Sequence, residues 1–431
     1  MRILIVSYYF PPLNHVASLR AYSWAKRWHE RGAKVTVLTA QKRDFDGLLD
    51  SKLILSPGIR VIEVRYVSLK VRLRAIIGVG RLRSILAEFY RKFFARGRGP
   101  INWFSAWLIA SKGFMDELAF NHDVVVSTFA PKECHLIANE LKLRNPALLW
   151  VSDYRDLWHD TYTVNRDENT IIEEGKLEQQ TVGVNSDVVT TVSADFRTKL
   201  HGRFLKPTYE VKNGFFIEDA DGIDNWSKGR LTNKAPLKIV YTGTMYQSFM
   251  DPSVLVDTLV RLLDSGLLSS KDVILEVYSD SHDFLLGLMK RPGYDTFILP
   301  KGVVNRSDAL RAQRQADILL LLESSDEKAC GVLTGKVFEY LVSGRPILCI
   351  GSRPSFELGT LLRDTGTGVV FGPDEIYNLP DYILSSLKGN GIFLDFNPAR
   401  DEILKYSREH SADLLFSVIC EQLADRIHGS C

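Results

Sequence analysis

Apolar and polar positions along the chain follow a pattern of short buried strands separated by helical stretches. Arg2–Ser7 is a continuous apolar run, which is typical of a strand buried on both faces of a parallel sheet. From Ala17 to Trp28, small and aromatic residues recur at spacings of four, three and four, which places them on one helical face. Lys34–Thr39 is the next apolar run, so the first 40 residues predict a βαβ unit.

The same alternation continues in two series, one before and one after a polar stretch. The two series predict two doubly wound α/β domains, in which ligands bind at the carboxyl ends of the strands. The further strands predicted in this way are Asp123–Ser127, Leu148–Ser152, Val188–Val192, Leu237–Thr242, Val273–Tyr278, Thr296–Leu299, Ile318–Leu322, Pro346–Ile350 and Gly368–Phe371.

Turn-rich composition sets the predicted domain boundaries. The stretch EDADGIDNWSKGRLTNKAP is polar and contains no apolar run, so we interpret residues 216–236 as a linker. Residues 1–215 then form the first domain and residues 237–402 the second. A long helical pattern at Ile403–Ile427 predicts that residues 403–431 form a C-terminal helix.

Composition narrows the class of protein. The length of 431 residues suggests two or three domains, and the net charge of +2 is too small to mark a nucleic-acid binder. The five cysteines form no CxxC or Cys/His spacing, which favours reduced thiols in a cytoplasmic protein over a disulfide scaffold or a zinc site. No stretch approaches the ~18–20 apolar residues of a membrane span, and the N-terminal run is interpreted as a strand and not as a signal peptide.

The stretch GVLTGKVFEYLVSG, Gly331–Gly344, contains the most informative polar residues. Thr334 or Gly335 can begin a helix on which Lys336 and Glu339 share one face. Helix amides and a lysine attract phosphate, and a carboxylate one turn later can accept hydrogen bonds from a ribose diol. The alternative is an ordinary amphipathic helix with solvated charges. The spacing differs from a Walker A loop, and no GxGxxG follows the first strand, which argues against a dinucleotide-dependent oxidoreductase.

Polar residues in the first domain supply candidates for catalysis. Asp153, Arg155 and Asp156 follow a predicted strand, so they lie at its carboxyl end. A carboxylate there could act as a general base that takes a proton from a substrate hydroxyl. The alternative is an Asp–Arg network that braces the loop. His135, on a predicted helix, and His15, in the loop after the first strand, are weaker candidates.

Basic residues dominate residues 60–98. The segment has eleven lysines and arginines, interleaved with apolar residues, and its acids are Glu63 and Glu88 alone. Such a composition suits an anionic membrane surface, and an ordinary solvated charged face or an RNA-binding face gives a similar one. We expect a peripheral contact with the inner face of the cytoplasmic membrane, and no nucleic-acid partner.

Several motifs in order resemble the GT-B glycosyltransferases of the family 4-like group. They are YYFPP after the first strand, RAYSWAKRWHERGAKVTVLTA, SDYRDLW, NGF at Asn213–Phe215, YTGTMY at Tyr241–Tyr246 and TGKVFEYLVSGRPIL. The TGKxxEYLxxGxP pattern with YTGT upstream is the specific part, and the resemblance covers nearly the whole chain except about residues 42–120. It implies two Rossmann-like domains with a cleft between them and a C-terminal helix that crosses back to the first domain.

The resemblance also implies roles for individual residues. Glu339 would bind the ribose of a UDP- or GDP-linked sugar, and Lys336 its diphosphate, so that no metal or other cofactor is expected. The remaining donor-binding residues implied by position are Asn14, His15 and Arg20 in the first domain, and Gly243, Thr244, Gly302, Val303, Val332, Leu333, Thr334 and Gly335 in the second. Asp153, Asp156 and His135 are the candidate catalytic residues. For Arg20 the alternative is a surface salt bridge.

The sequence therefore predicts a glycosyltransferase that moves a sugar from a nucleotide-sugar to a hydroxyl of a glycan or lipid-linked acceptor. The resemblance suggests retention of the anomeric configuration. Two alternatives stay open, namely a GT-B sugar-nucleotide enzyme of other chemistry and a non-catalytic nucleotide-sugar-binding subunit. The family pattern usually has a glutamate where this chain has Gly331 and a basic pair where it has Gln247 and Ser248.

Overall fold

The structure is a computed structural model that describes residues 1–13, 15–42, 49, 57–66, 103–159, 167–222, 236–245, 250–388 and 396–428. The chain divides into two compact units. The first comprises residues 1–192, 196–212 and 411–431, and the second comprises residues 193–195 and 213–410. Each unit is built around one parallel sheet.

Thirteen strands and fifteen α-helices occur in these described ranges. The strands are β1 Arg2–Val6, β2 Lys34–Ala40, β3 Arg60–Val64, β4 Val124–Phe129, β5 Leu149–Tyr154, β6 Val188–Thr191, β7 Thr208–Glu210, β8 Leu237–Thr242, β9 Val273–Tyr278, β10 Ile298–Pro300, β11 Ile318–Leu322, β12 Ile347–Ile350 and β13 Gly368–Phe371. The helices are α1 Val16–Glu30, α2 Trp103–Ser111, α3 Met115–Phe120, α4 Glu133–Arg144, α5 Glu168–Glu178, α6 Ala194–Phe204, α7 Ser253–Asp264, α8 His282–Leu288, α9 Tyr294–Phe297, α10 Arg306–Arg314, α11 Gly335–Leu341, α12 Glu357–Thr365, α13 Leu379–Leu387, α14 Arg400–Leu404 and α15 Arg408–His428.

The first unit contains a seven-stranded sheet in the order β3-β2-β1-β4-β5-β6-β7. All its pairings are parallel, and Ile5 of β1 lies between Val37 of β2 and Val126 of β4. The predicted face of α1 is buried, with Trp24 and Trp28 at 1% and 0% exposure. The strand order reverses between β1 and β4, so the loops that follow these two strands flank the switch point where ligands bind in doubly wound folds.

The second unit contains a six-stranded parallel sheet in the order β10-β9-β8-β11-β12-β13. Its switch point lies between β8 and β11, which pair through Ile239 and Ile318. β11 consists of one isoleucine and four leucines, and all five are buried, as expected of a central parallel strand. The loop after β8 begins at Gly243 and the loop after β11 begins at Glu323.

The strands predicted from the sequence are confirmed, most of them to within two residues. Thr296–Leu299 is shifted, because the helix α9 continues to Phe297 and β10 begins at Ile298. A single helix was predicted at Ile403–Ile427, but the structure has two, because the chain turns at Lys405 and Tyr406 between α14 and α15. Most of the predicted linker lies outside the described residues.

The boundary between the two units falls within α15. Residues up to His410 belong to the second unit, and residues from Ser411 belong to the first. In the first unit, Asp413 of α15 accepts from Arg27 at 2.8 Å and from Arg31 at 2.7 Å. Trp28 Nε1 donates to the Ala412 carbonyl at 2.8 Å. α15 is thus part of the packing of the first unit. None of the helices in the described ranges is long and apolar enough to cross a membrane.

Candidate functional site

The loop after β1 places His15 at the switch point of the first sheet. His15 Nδ1 accepts a hydrogen bond from the Ala17 amide at 3.1 Å, so the imidazole caps the N-terminus of α1. Its ring stacks on Tyr9, with 4.9 Å between the ring centroids. Packing around the ring lowers the pKa of His15, and the positive charge of Arg155 lowers it further, while Asp156 opposes the change. Since Nδ1 caps the helix, a ligand could be bound only through Nε2.

Arg20 and Asp153 form a buried ion pair under this loop. Arg20 Nε donates to Asp153 Oδ2 at 2.9 Å, and Nη2 donates to Oδ1 at 2.6 Å. Arg20 also donates to the carbonyls of Val211 (2.7 Å) and Lys212 (3.1 Å). The Arg20 side chain is 2% exposed and the Asp153 side chain 0% exposed. The donor-binding role predicted for Arg20 conflicts with this enclosure, because the guanidinium is turned to Asp153 and two carbonyls inside the first unit. The alternative of a salt bridge fits the contacts, but the pair is buried and not at the surface.

Asp153 has little capacity left for catalysis. Besides the two bonds from Arg20, its oxygens accept from Thr128 Oγ1 at 2.7 Å and Thr190 Oγ1 at 2.8 Å. Four donors share two buried oxygens, which is an arrangement that fixes a carboxylate in place. The geometry favours the alternative that Asp153 braces the fold, with Arg20 and not Arg155 as its partner.

His135 lies in an aromatic core and not at a surface. The imidazole on α4 is 0% exposed, and its Nδ1 is 2.8 Å from Ser127 Oγ. Rings of Phe129, Tyr154 and Trp158 lie within 6.1 Å of it, measured between centroids. Burial lowers the pKa of His135 to about 3, so the ring is neutral. The prediction of a catalytic role for His135 conflicts with this enclosure, since an acceptor hydroxyl cannot reach the ring.

The loop after β5 carries the remaining catalytic candidate. Arg155 donates to the carbonyls of Phe129 (2.8 Å) and Ala130 (3.0 Å), which ties this loop to the loop after β4. Asp156 is exposed at the carboxyl end of the sheet. A catalytic role for Asp156 stays a prediction, and Asn14 lies outside the described residues.

Lys336 lies at the switch point of the second sheet. α11 begins at Gly335 with Thr334 as its N-cap, as predicted. The Lys336 ammonium donates to Tyr241 Oη at 2.7 Å and to the Thr244 carbonyl at 3.2 Å. Its stem crosses Gly243, whose φ of +127° favours glycine, and a Cβ there would lie 2.2 Å from Lys336 Cε and displace the lysine. Burial lowers the pKa of Lys336, against the charges of Glu323 and Asp280, which raise it.

Glu339 lies one turn further along α11 and is half-buried. Its Oε1 is 3.5 Å from Arg306 Nε, and its Oε2 is 3.4 Å from Gln313 Nε2. Gln313 is held in turn by Thr242 Oγ1 at 2.9 Å, at the end of β8. These long contacts orient the carboxylate and leave it accessible, as a ribose-binding group requires. The structure thus brings Lys336 and Glu339 to the same end of the second sheet.

Glu323 is a polar residue of this region that the sequence reasoning missed. It follows β11 directly and is 6% exposed. Burial raises the pKa of Glu323 to about 7, although the Thr334 hydroxyl and the Lys336 ammonium oppose the shift. Its position at the end of an apolar strand, in the sequence ILLLLE, is the signal that could have identified it.

The other predicted donor-binding residues lie in loops of the second unit. Gly302 has a φ of +70° and precedes Val303, which is 68% exposed, in the loop between β10 and α10. The Val332 amide already donates to the Ala329 carbonyl at 3.0 Å, which corrects the prediction that it is available to a ligand. The Leu333 side chain is buried in the core, so only its backbone could contact a ligand. No group of three or more metal-ligating side chains occurs within the described ranges.

Comparison with solved structures finds chains of the same fold over nearly their whole length. Sucrose-phosphate synthase from Thermosynechococcus elongatus matches with a TM-score of 0.60 and 14% identity, covering 98% of this chain and 99% of that one. A glycosyltransferase from Rickettsia africae matches with a TM-score of 0.57 and 14% identity, covering 97% and 98%. A TarM variant from S. aureus, in complex with fondaparinux, α-GlcNAc-glycerol and UDP, matches with a TM-score of 0.57 and 9% identity, covering 96% and 99%.

No family model and no curated protein matches the sequence. At the low identities of the structural matches, the likeness establishes the fold. The chain has the two-domain α/β fold of the GT-B glycosyltransferases, which confirms the predicted fold class.

Proposed function

We propose that the protein is a glycosyltransferase that binds a nucleotide-sugar at the switch point of its second sheet. The observation that carries the proposal is the placement of Lys336 and Glu339 on α11, at the end of β8 and β11, in a GT-B fold. Lys336 would neutralise the diphosphate and Glu339 would accept hydrogen bonds from the ribose hydroxyls. The fold supports sugar transfer as the reaction class.

The finer details are part of the same proposal. The donor would be a UDP- or GDP-linked sugar, the acceptor a hydroxyl of a glycan or lipid-linked molecule, and the anomeric configuration would be retained. Positive charge from Lys336 supports a reaction without a metal ion, which transfer in the presence of a chelator tests. The configuration of the product, read by proton NMR, tests retention.

A thermal-shift screen against UDP, GDP, ADP and CMP and their sugars identifies the donor. A ligand at 100 times its dissociation constant adds about 2.7 kcal/mol of stability, which is easily detected. The sugar nucleotide found in this way is then tested for slow hydrolysis and for transfer to candidate acceptors. Binding without either activity would support the non-catalytic alternative.

Lys336→Ala and Lys328→Ala form a matched pair for this screen. Lys328 is exposed in the same loop region, so its loss controls for the removal of one positive charge. Lys336→Ala should weaken binding of the nucleoside diphosphate much more than binding of the nucleoside. Equal losses for both ligands would contradict the diphosphate role of Lys336.

Contact with an anionic membrane is a further part of the proposal, based on the basic residues of 60–98. Within this segment only residues 60–66 are described, and Arg60 pairs with Glu117 at 2.7 Å. Each basic residue near an anionic surface contributes about 1 kcal/mol. We expect sedimentation with anionic vesicles, little with neutral ones, and release by high salt. Sedimentation that persists after replacement of Arg72, Arg74, Arg81 and Arg83 with Ser would contradict this role.

A further inference from the structure

Glu323 is held rigidly at the switch point of the second sheet. Its amide donates to the Ile350 carbonyl of β12 at 3.0 Å. The backbone of Gly351 approaches so closely that a Cβ there would lie 2.2 Å from the Glu323 carbonyl oxygen. The Glu323 backbone is therefore fixed between β11 and β12, and its side chain begins where the proposed donor site lies.

Two oxygens beside Lys336 are buried and unsatisfied. Within the described ranges, Glu323 Oε1 and Thr334 Oγ1 have no hydrogen-bond partner. The Thr334 hydroxyl acts on the Glu323 carboxyl and lowers its pKa, so these two groups can partly satisfy each other. Buried polar atoms are almost always paired, so Glu323 Oε1, which lacks a hydrogen bond of good geometry, points to a group that binds there. Thr334 is the N-cap of α11, and Lys336 follows it by two residues. Thr334 and Lys336 thus both lie near enough to act on the Glu323 carboxyl.

Burial favours the neutral form of Glu323, and the positive charge of Lys336 opposes it. Lys336 on α11 is the cation that acts on it, and no ion pair joins the two among the residues that the structure describes. Cys349 on β12 is a buried thiol, whose pKa is raised by burial and by Glu323, and it contributes no charge. Asp280, in the loop after β9, acts on Lys336 and adds a negative charge to the region. Burial raises the pKa of Glu323 to about 7, so both of its forms are populated at neutral pH.

We propose that Glu323 is a further donor-binding residue, which binds as a neutral carboxylic acid and donates its O–H to a diphosphate oxygen. This inference rests on the proposed function, because it takes the diphosphate to be the group that Lys336 binds. A diphosphate diester carries two negative charges, and Lys336 supplies one positive charge. An ionised Glu323 would add repulsion, whereas a protonated one adds a donor. The carboxylate takes one proton from solvent as the ligand binds and returns it when the ligand leaves, and no covalent bond changes.

Glu323→Gln and Glu327→Gln test this proposal as a matched pair. Glutamine at position 323 keeps the shape and stays neutral at every pH. Glu327 is an exposed glutamate in the same loop, with a side chain that is 81% exposed. The full chain and both variants are titrated calorimetrically with UDP-glucose, UDP-N-acetylglucosamine and GDP-mannose between about pH 6 and about pH 8, where these diphosphate diesters keep a constant charge. Buffers of different ionisation enthalpy report the number of protons taken up.

The expected result has a defined sign. For the wild type and Glu327→Gln, affinity should fall as the pH rises above about 7, approaching tenfold per pH unit, with net proton uptake on binding. Glu323→Gln should bind with little pH dependence and without this uptake. Proton release that depends on Glu323, or a pH dependence that Glu323→Gln leaves unchanged, would overturn the inference alone. If none of the three nucleotide-sugars binds the wild type, the proposed function fails, and the inference with it.

Discussion

Asp153→Asn separates a structural from a catalytic role for the buried ion pair in the first unit. The change removes the charge that compensates Arg20, whose side chain is 2% exposed and cannot turn to solvent. It also places an amide NH₂ group among the donors of Arg20, Thr128 and Thr190. Breaking a buried pair by changing one partner costs about 3–5 kcal/mol.

A loss of this size is a large fraction of the stability of a domain. Folded domains are stable by about 5–15 kcal/mol, and each kcal/mol shifts Tm by about 2–4 °C in a domain of this size. Asp153→Asn should therefore lower the Tm of the first unit by roughly 6–20 °C, measured by differential scanning calorimetry. Asp156→Asn, at an exposed position after the same strand, should stay within about 0.5 kcal/mol of the wild type.

A double replacement completes the test. Arg20→Met with Asp153→Leu removes both charges, so it should recover much of the stability that Asp153→Asn loses. The recovery should be incomplete, because the hydroxyls of Thr128 and Thr190 lose their acceptor. If Asp153→Asn melted like the wild type yet lost turnover, the structural role would be contradicted and Asp153 would again be a catalytic candidate.

Three further predictions concern single side chains. Glu339→Ala should weaken donor binding about tenfold or more, because about 1.5–3 kcal/mol of charged hydrogen bonding is lost. Calorimetric titration with the donor, with Glu327→Ala as the control, measures this, and unchanged affinity would exclude Glu339 from the site. Burial lowers the pKa of His135 to about 3. The stability that the buried neutral ring contributes to the protein is therefore fully present above about pH 6.5 and is lost as the pH falls through 3. His135→Asn should flatten this acid dependence in urea unfolding below pH 6.5, and an unaltered slope would count against it. Burial raises the pKa of Glu323 to about 7. The stability that its protonated form contributes to the protein is therefore fully present below about pH 4.5 and is lost as the pH rises through 7. Glu323→Gln should therefore be more stable than the wild type at about pH 8, by up to about 3 kcal/mol, and equal stability at this pH would show that Glu323 does not titrate there.

Strand positions could be predicted because buried parallel strands are continuous apolar runs. β8 and β11 were located in this way to the residue. β3 and β7 were not predicted, because β3 begins the basic segment and β7 has three residues, all half-buried. A short edge strand leaves no periodic signal of its own, and only its pairing partner defines it.

The chemistry of side chains was predictable only where it is local. Lys336 and Glu339 share one helix, so their spacing of three residues already placed them together. Arg20 and Asp153 are 133 residues apart, and nothing in either neighbourhood shows that they pair. Glu323 could not be recognised from the sequence, because its role depends on how deeply the end of β11 is buried, which is a property of the assembled sheet.

The division of the chain at Ser411 has a consequence for synthesis. A ribosome makes residues 1–212 first, but the first unit also needs α15, whose Asp413 and Ala412 bind Arg27 and Trp28. The second unit ends at His410. Domains generally fold as they emerge, from the N-terminal side onward. Here the first unit is begun first and completed last. Trp28 can bond to the Ala412 carbonyl only after the roughly 200 residues between 212 and 411 have been translated.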